Sequence, residues 1–340
     1  MTTGELHRRD FFVESEPGIQ IFVREVRAAQ GDSAEQVPIL LLHGARVPGL
    51  GSFDLQVPGG SLAADLALAG HPTYVMDARG YGGSTRPPEM ADPPEASPPL
   101  VRSAEVARDI DAVARTLGER FGRPIAVLGW ATGGQWLGYY ATLHPERLSH
   151  LILCNSLYGG IAEHPGIGLG SDLEDPHHPG RFNGAENGAY RFNRVASLIP
   201  AWNNTIPIED KAQWYDPAVV AAYEAAALAS DPTSGSREPA SFRAPLGALE
   251  ESFYLASGRQ LWDASLIRTP TLFLRGERDF WSRAADPQLF AAHAVSAPEV
   301  RVVTIPNATH FVHLDRPERG REQFLREVLA FISEGKTAIL

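Results

Sequence analysis

Short apolar runs alternate with amphipathic stretches along most of this chain. The runs VPILLL, PTYVMD, PIAVLG and LILCN end just before His43, at Asp77, at Gly129 and at Asn155, and each is apolar at consecutive positions. Such runs are typical of parallel strands that are covered by helices on both faces. The segments between them, such as AEVARDIDAVARTLGERFG and GQWLGYYATLHPERL, carry apolar residues at helical spacing. The pattern predicts an α/β fold with a mostly parallel sheet flanked by helices.

This alternation is interrupted in two places. Near the start, DFFVESEPGIQIFVREVRA contains two β-rich runs separated by Pro17 and Gly18, which indicates an antiparallel hairpin that begins the sheet. After Asn155 the alternation stops, and it resumes at TPTLFLRG, RVVTIP and the helical REQFLREVLAFI. We therefore predict a cap inserted at residues 156–266, with residues 1–155 and 267–340 forming the core. The insertion includes the helical pattern DPAVVAAYEAAALAS and an aromatic set that a linker would lack: Trp202, Trp214, Tyr215, Phe253, Tyr254 and Trp262.

Composition narrows the classes of function. The 340 residues suffice for one large domain with an insertion, and the formal net charge of −11 disfavours a phosphate backbone, so we predict no nucleic-acid partner. Neither MTTGELHRRD nor any later stretch approaches the roughly 18 apolar residues that span a bilayer, so we predict a cytoplasmic protein without membrane contact. The single cysteine, Cys154, excludes an intrachain disulfide and indicates a buried, unreactive thiol.

The segment PIAVLGWATGGQWLGYYA carries the most informative motif. Residues Gly129 to Gly133 read G-W-A-T-G, which matches the G-x-S-x-G nucleophile elbow at every position except the middle one. In such an elbow the middle residue sits on a sharp turn between a strand and a helix, and larger side chains at the glycine positions would collide with both elements. Ala131 therefore stands where a serine nucleophile is expected.

These features resemble the α/β-hydrolase family, particularly its cap-bearing esterase, lactonase and epoxide-hydrolase-like members, over nearly the whole chain outside the insertion. The resemblance implies an α/β-hydrolase fold. It also implies that HGA at residues 43–45 supplies one amide of an oxyanion hole, so that the N–H groups of Ala45 and Thr132 would be its two donors. DARGYGGS at residues 77–84 resembles the family's D-x-R-G-x-G-x-S loop, whose role there is structural.

The same resemblance assigns an acid and a base later in the chain. In LFLRGERDFWS, Asp279 lies four residues beyond the apolar strand and matches the family's spacing from Gly276, whereas Glu277 lies too close to the strand end. In NATHFVHLDRPERG, His310 corresponds to the family's catalytic histidine, and His313 is predicted to pack beside it. The order of nucleophile, acid and histidine along the chain is the one expected for this fold.

Ala131 leaves four interpretations open. We favour a serine hydrolase whose nucleophile was replaced to trap a substrate, because an acid, a base and an oxyanion turn are all retained. The second interpretation is a natural, non-catalytic ligand-binding homologue. The third is an epoxide hydrolase or dehalogenase whose nucleophile was aspartate, although the T-G-G that follows position 131 resembles serine esterases. The fourth is cofactor-free oxygenation by a His–Asp pair.

With serine at position 131, the expected reaction is hydrolysis of a carboxylic ester or lactone through an acyl-enzyme, and cleavage of an amide or a carbon–carbon bond stays open. A cap of about a hundred residues with many aromatic side chains favours a bulky, largely apolar small-molecule substrate. His177 and His178 lie in an acidic loop without a complete set of metal-ligand spacings, so neither a metal nor a cofactor is predicted. A homo-oligomer stays open. The side chains expected to contact the substrate are Trp130, Trp202, Trp214, Tyr254 and Phe280.

Overall fold

The computed structural model of the protein describes residues 5–29 and 36–334, which contain ten strands and ten α-helices. The strands are β1 (Leu6–Glu16), β2 (Ile19–Ala28), β3 (Ile39–Leu42), β4 (Thr73–Met76), β5 (Ile125–Trp130), β6 (Leu148–Cys154), β7 (Tyr190–Arg194), β8 (Ser241–Pro245), β9 (Thr271–Arg278) and β10 (Val300–Thr309). The helices are α1 (Gly49–Phe53), α2 (Leu62–Leu68), α3 (Ser103–Phe121), α4 (Thr132–Leu143), α5 (Gly184–Asn187), α6 (Ile199–Thr205), α7 (Pro217–Ala229), α8 (Gly247–Ala256), α9 (Ala285–His293) and α10 (Arg321–Glu334). No helix in these ranges is both long enough and apolar enough to cross a bilayer.

Eight of these strands form one sheet in the order β1-β2-β4-β3-β5-β6-β9-β10. The neighbours from β4 to β10 pair in parallel, whereas β2 is antiparallel to both β1 and β4. The predicted mostly parallel sheet and its N-terminal antiparallel hairpin are therefore confirmed. In open α/β sheets, ligands bind beyond the carboxyl ends of the parallel strands. The residues that directly follow β3, β5, β9 and β10 lie at that edge.

The two faces of the sheet are covered by different helices, which explains why the strands are apolar at consecutive positions. In β3, Ile39 and Leu41 belong to a buried cluster that includes residues of α2 and α10. Leu40 and Leu42 point the other way and belong to a cluster with residues of α3 and α4. All four side chains are fully buried. Each residue of the strand thus enters one of two cores, as a doubly covered parallel strand requires.

The segment between β6 and β9 leaves the main sheet and carries α5 to α8 with a separate two-stranded sheet. The stretch DPAVVAAYEAAALAS forms α7, as its pattern predicted, whereas the antiparallel pair of β7 and β8 was not predicted. In this pair Arg191 is in register with Ala244. Arg243 anchors β8 through an ion pair of 2.9 Å with the buried Asp231. The cap boundaries at positions 156 and 266 stay a prediction.

The turn after β5 leaves no room for a side chain at Gly133. A Cβ atom at this position would lie 2.1 Å from the carbonyl oxygen of Leu42 and 2.6 Å from that of His43, and backbone atoms in a buried sheet cannot yield independently. We expect Gly133→Ala to lower the free energy of unfolding by about 3 kcal/mol or more, measured by urea denaturation.

The matched control is Gly118→Ala, a second substitution at a helical glycine. The nearest contact of a Cβ atom at Gly118 would be 3.6 Å, an ordinary van der Waals distance. Alanine also has the higher helix propensity, so we expect this variant to gain up to about 1 kcal/mol. Equal unfolding free energies for the two variants would contradict the steric requirement at Gly133.

Candidate active site

The turn between β5 and α4 has the geometry of a nucleophile elbow. Ala131 lies between Trp130, the last residue of β5, and Thr132, the first of α4, with φ of 52° and ψ of −119°. A residue with a Cβ atom is strained in such a conformation by on the order of 1–3 kcal/mol. The turn is also crowded, because a Cβ atom at Gly129 would lie 2.4 Å from the carbonyl carbon of Gly133. Both glycines of the motif are therefore needed, because at each of them another backbone segment occupies the place of a Cβ atom.

Asp279 and His310 meet at the carboxyl edge of the sheet, directly after β9 and β10. The Nδ1 atom of His310 lies 2.6 Å from Oδ1 of Asp279. Asp279 also accepts hydrogen bonds from the backbone N–H groups of Trp281 (3.0 Å) and Ser282 (2.9 Å) and from the Ser282 hydroxyl.

These contacts set the protonation of the pair. Burial by itself raises the pKa of Asp279, but His310 and the hydrogen-bond donors outweigh burial and hold that pKa below its ordinary value. The ionised carboxylate accepts a hydrogen bond from Nδ1, so the proton of a neutral His310 sits on Nδ1. The Nε2 atom has no partner in the described part of the chain, and it is the atom that can accept a proton.

The loop that carries His310 is held by residues at the ends of other strands. The indole Nε1 of Trp130 donates to the carbonyl oxygen of His310 at 2.8 Å. The side-chain amide of Asn155 donates to the same oxygen at 2.9 Å, and its own oxygen accepts from the Gly276 N–H at 2.7 Å. Asn155 thus connects β6, β9 and the histidine loop. From the sequence, Asn155 was predicted only to end a strand. Its polar side chain directly after an apolar strand, at the edge where the site lies, could have indicated its role.

The two predicted oxyanion donors, Ala45 and Thr132, also lie at this edge. Neither backbone N–H donates to another described residue, so both are available to a ligand. The loop of Ala45 is fixed by the hydroxyl of Tyr81, which donates to the Ala45 carbonyl oxygen at 3.1 Å. The ring of His43 makes a hydrogen bond of 2.7 Å to the carbonyl oxygen of Gly44, which fixes the loop from the other side.

One cavity of about 410 Å³ brings these groups together, and its wall includes Ala45, Ala131, Thr132 and His310. Its volume falls in the range of small-molecule sites. The oxyanion loop lies against the elbow, because a Cβ atom at Gly44 would be 3.4 Å from that of Ala131. The arrangement places an imidazole, the elbow residue and two backbone N–H groups around one space, which is the geometry that acyl transfer requires of a base, a nucleophile and two oxyanion donors.

Comparison with known families agrees with this geometry. Residues 37–317 match the sequence profile of the family described as alpha/beta hydrolase fold. This chain belongs to the α/β-hydrolase family. It is also similar to 1-acylglycerol-3-phosphate O-acyltransferase ABHD5 of Sus scrofa, with 30% identity over 146 residues. The aligned region is 43% of this α/β-hydrolase and only 35% of that relative, so it spans about a third of the relative's length.

Solved structures share the fold over nearly their whole length. Est816, described as an N-acyl homoserine lactone degrading enzyme, has a TM-score of 0.58 and 21% identity, covering 94% of this chain and 100% of its own. A thermophilic esterase from Thermogutta terrifontis has a TM-score of 0.56 and 20% identity, covering 97% and 99%. The thioesterase domain of the curacin biosynthetic pathway has a TM-score of 0.57 and 16% identity, covering 96% and 99%. At these identities the likeness shows the fold alone.

The cavity of this α/β-hydrolase includes two of the five predicted substrate contacts, Trp130 and Phe280. The other three, Trp202, Trp214 and Tyr254, do not line it. All five were predicted because aromatic side chains are common in substrate pockets and because the insertion contains many of them. The structure corrects three of them, since their rings are used elsewhere.

Each of these three rings has a packing role outside the cavity. Trp202 is fully buried and donates through its indole Nε1 to Oδ1 of Asp315 at 3.0 Å. Trp214 is buried and lies under the guanidinium group of Arg319, 4.5 Å from the ring centroid. Tyr254 packs edge to face on the adjacent phenylalanine of α8. A buried aromatic residue in a cap and one that faces the ligand look the same in sequence.

Four further sequence-based predictions concern residues in or near the pair of His310 and Asp279 or at the ends of neighbouring strands. β9 continues to Arg278, so Asp279 follows the strand directly and not four residues beyond it, as its apolar part alone had indicated. Glu277 is exposed and accepts a hydrogen bond from a backbone N–H of β10, away from His310. His313 is buried against the indole ring of the elbow. Cys154 is buried, and burial raises the pKa of its thiol, as expected for an unreactive cysteine.

Several polar residues of the cavity wall were not assigned to the site from the sequence, among them Arg46, Arg191 and Tyr223. Arg46 directly follows the oxyanion residue Ala45, and this adjacency was the signal that could have found it. Arg191 lies on β7 and Tyr223 on α7, both in the segment between β6 and β9. No sequence pattern marks them, because only the fold brings that segment over the edge of the sheet.

His43 makes the oxyanion loop sensitive to acid. Its Nε2 atom accepts a hydrogen bond from the Ala78 N–H at 3.1 Å, so protonation of Nε2 would break this bond. Burial lowers the pKa of His43 to about 4 from an ordinary value of 6.5. The unfolded chain therefore takes up a proton that the folded chain does not between these two pH values. The stabilisation from the neutral ring is complete above pH 6.5 and is lost as the pH falls from 6.5 towards 4.

We expect His43→Gln, which keeps an acceptor but does not titrate, to reduce the dependence of unfolding free energy on pH in that window. The slope should fall by about 1.4 kcal/mol per pH unit, the contribution of one proton. Urea unfolding at several pH values measures it. The control is His7→Gln at an exposed position of β1, which should leave the slope unchanged. An unaltered slope in His43→Gln would mean that the His43 ring is not kept neutral by the fold.

Proposed function

We propose that this chain has the scaffold of a serine hydrolase that cleaves a carboxylic ester or lactone through an acyl-enzyme, with alanine in place of serine at position 131. One observation carries the proposal. The imidazole of His310, oriented by Asp279, shares a cavity with the residue on the elbow and with two backbone N–H groups that have no acceptor among the described residues. The substrate we propose is a small molecule with a bulky, apolar acyl or alcohol part, as the volume of the cavity allows.

The reaction follows from these positions when residue 131 is serine. His310 takes the hydroxyl proton on Nε2 while the serine oxygen attacks the acyl carbonyl carbon, and Asp279 stabilises the imidazolium that forms. The N–H groups of Ala45 and Thr132 donate to the tetrahedral oxyanion, each with an effect of roughly 10²–10³ in rate. His310 then protonates the departing alkoxide as the C–O bond breaks. A water molecule, deprotonated by the same histidine, hydrolyses the acyl-enzyme and regenerates the serine.

The chain with Ala131 has no atom that can perform the first step. A methyl group carries neither a lone pair nor a transferable proton, and loss of the nucleophile lowers turnover by on the order of 10⁶ in a serine hydrolase. The cavity, the base and the oxyanion donors are all retained. We therefore infer that this polypeptide binds its substrate without consuming it. The strained φ of 52° at Ala131 supports an original serine, because a site that only binds has no need of an elbow.

Specific residues favour or disfavour two alternatives to the serine-hydrolase proposal. A natural ligand-binding member of the family is favoured by Ala131 itself. A parent epoxide hydrolase is disfavoured, because that chemistry usually employs two cap tyrosines, whereas Tyr223 lines the cavity and Tyr190, Tyr215 and Tyr254 lie outside it. Similarity over 146 residues to a relative named as an acyltransferase supports chemistry at an acyl carbonyl.

We expect Ala131→Ser to hydrolyse p-nitrophenyl esters or lactones at a rate at least about 10³ above that of the starting chain, because the missing nucleophile is then supplied to an assembled site. Esters of long or aromatic acids should be preferred over acetate because the cavity is large. Release of p-nitrophenolate and the acid formed on lactone opening measure the two reactions.

The matched control is the double variant Ala131→Ser, His310→Gln, which keeps the hydroxyl but removes the base and should return to the level of the starting chain. A folded Ala131→Ser protein that is inactive on the whole panel would refute the serine-hydrolase proposal. Turnover of epoxides or haloalkanes by Ala131→Asp, without ester turnover by Ala131→Ser, would select the aspartate alternative instead.

A further inference from the structure

The cavity wall contains a guanidinium group that has no partner in the described part of the chain. Arg191 is half-buried on β7 and lines the same cavity as Ala131 and His310. Its side chain makes no hydrogen bond to any residue in ranges 5–29 and 36–334, and its Nε atom is buried without an acceptor. A buried donor left unsatisfied is costly, and more so when it belongs to a charged group. Such a group in a cavity is most readily explained by a ligand atom that it binds.

No acidic side chain neutralises this part of the cavity. No carboxylate oxygen of the described residues lies within 4.0 Å of a guanidinium nitrogen of Arg191 or of Arg46, the second arginine in the wall. Arg46 is held by neutral acceptors instead: its Nε donates to Oδ1 of Asn193 at 3.1 Å and one terminal nitrogen donates to the Ser197 hydroxyl at 2.6 Å. Asp172 also lines the cavity but is exposed and forms no ion pair with either arginine.

Arg191 stays charged in these surroundings. Burial and the nearby Arg46 lower its pKa to about 10, which still leaves the guanidinium protonated at neutral pH. Two cations therefore face one cavity, and the attraction of each for an anion is strengthened by partial exclusion of water. A cationic wall in a site that otherwise includes Phe280 and Phe311 selects for a ligand with an apolar body and a negative group.

We propose that the substrate of this site carries a carboxylate in addition to its ester or lactone group, and that Arg191 is the residue that binds it. The planar guanidinium presents two parallel N–H donors that match the two oxygens of a carboxylate, and in Arg191 they are unused. Arg46 contributes charge, while its own donors are largely occupied by Asn193 and Ser197. This inference rests on the proposed function for the identity of the second group, but the binding of an anion does not depend on turnover.

The test uses the chain with Ala131, which holds an ester without cleaving it. Isothermal titration calorimetry compares monobenzyl glutarate with its neutral isostere, in which the free carboxylate is a primary amide. We expect the acid to bind at least tenfold more tightly than the amide at neutral pH, as for a charged hydrogen bond shielded from water. Arg191→Gln should bring the two affinities within about twofold, and Arg191→Lys should retain part of the preference.

The matched control is Arg194→Gln, which removes an exposed arginine from the same strand and the same net charge from the protein. It should keep the full preference for the acid. Equal affinities of the starting chain for acid and amide, undetectable binding of the acid, or a preference that survives Arg191→Gln would each overturn the proposal. Tighter competition by methyl phosphate than by acetate would overturn the assignment to a carboxylate.

Activity of Ala131→Ser separates this inference from the proposed function. Ala131→Ser could hydrolyse the benzyl ester of monobenzyl glutarate and that of its primary-amide isostere with equal kcat/KM. In that case the proposed function holds and the carboxylate inference fails. If Ala131→Ser is inactive while the Ala131 chain shows the Arg191-dependent preference, the site binds anions and the proposed function fails.

Discussion

Backbone atoms of the turn between β5 and α4 lie directly on the end of β3, with no space for side chains between them. A Cβ atom at Gly133 would overlap the carbonyl oxygen of Leu42, and one at Gly129 would overlap the first turn of α4. Because the turn is this close to the neighbouring strand, residue 131 is forced into a positive φ and projects from the edge of the sheet. The first free N–H of α4 and the loop that follows β3 then border the same space. The oxyanion donors are thus a consequence of how the turn packs.

The loop that carries His310 is held in place by the protein alone, as the proposed catalytic base would require, because a displacement of about 1 Å removes much of the effect of such a group. Polar side chains at strand ends provide this. Trp130 and Asn155 hold the carbonyl oxygen of His310, and Asp279 holds its ring. On the far side of the loop, the buried carboxyl group of Asp315 accepts hydrogen bonds from the backbone and hydroxyl of Thr309. These groups lie at the ends of β5, β6, β9 and β10, so the loop that carries His310 is fixed by the whole edge of the sheet.

Two parts of the chain contribute to the wall of the cavity. The elbow, the acid and the histidine follow strands of the main sheet, whereas Arg191 and Tyr223 come from the segment between β6 and β9. This division lets one fold keep its reaction while its ligands change. The proposed carboxylate on the substrate refines the expectation of a largely apolar ligand, because the aromatic wall includes a guanidinium group without a partner among the described residues.

The sequence by itself determined the sheet, the elbow and the candidate triad positions. Consecutive apolar residues require a strand with two covered faces, and the glycines around Ala131 indicate a turn that excludes side chains. The sheet and the elbow can therefore each be predicted from a short stretch of sequence. The positions of Asp279 and His310 followed from the resemblance to the α/β-hydrolase family, which implies an acid and a histidine after the last strands. Only the tertiary structure decided which residues surround the ligand space. Trp202 and Arg191 both lie in the segment between β6 and β9. Whether a side chain of this segment points into a core or into the cavity depends on contacts with residues more than a hundred positions away, such as the contact of Trp202 with Asp315.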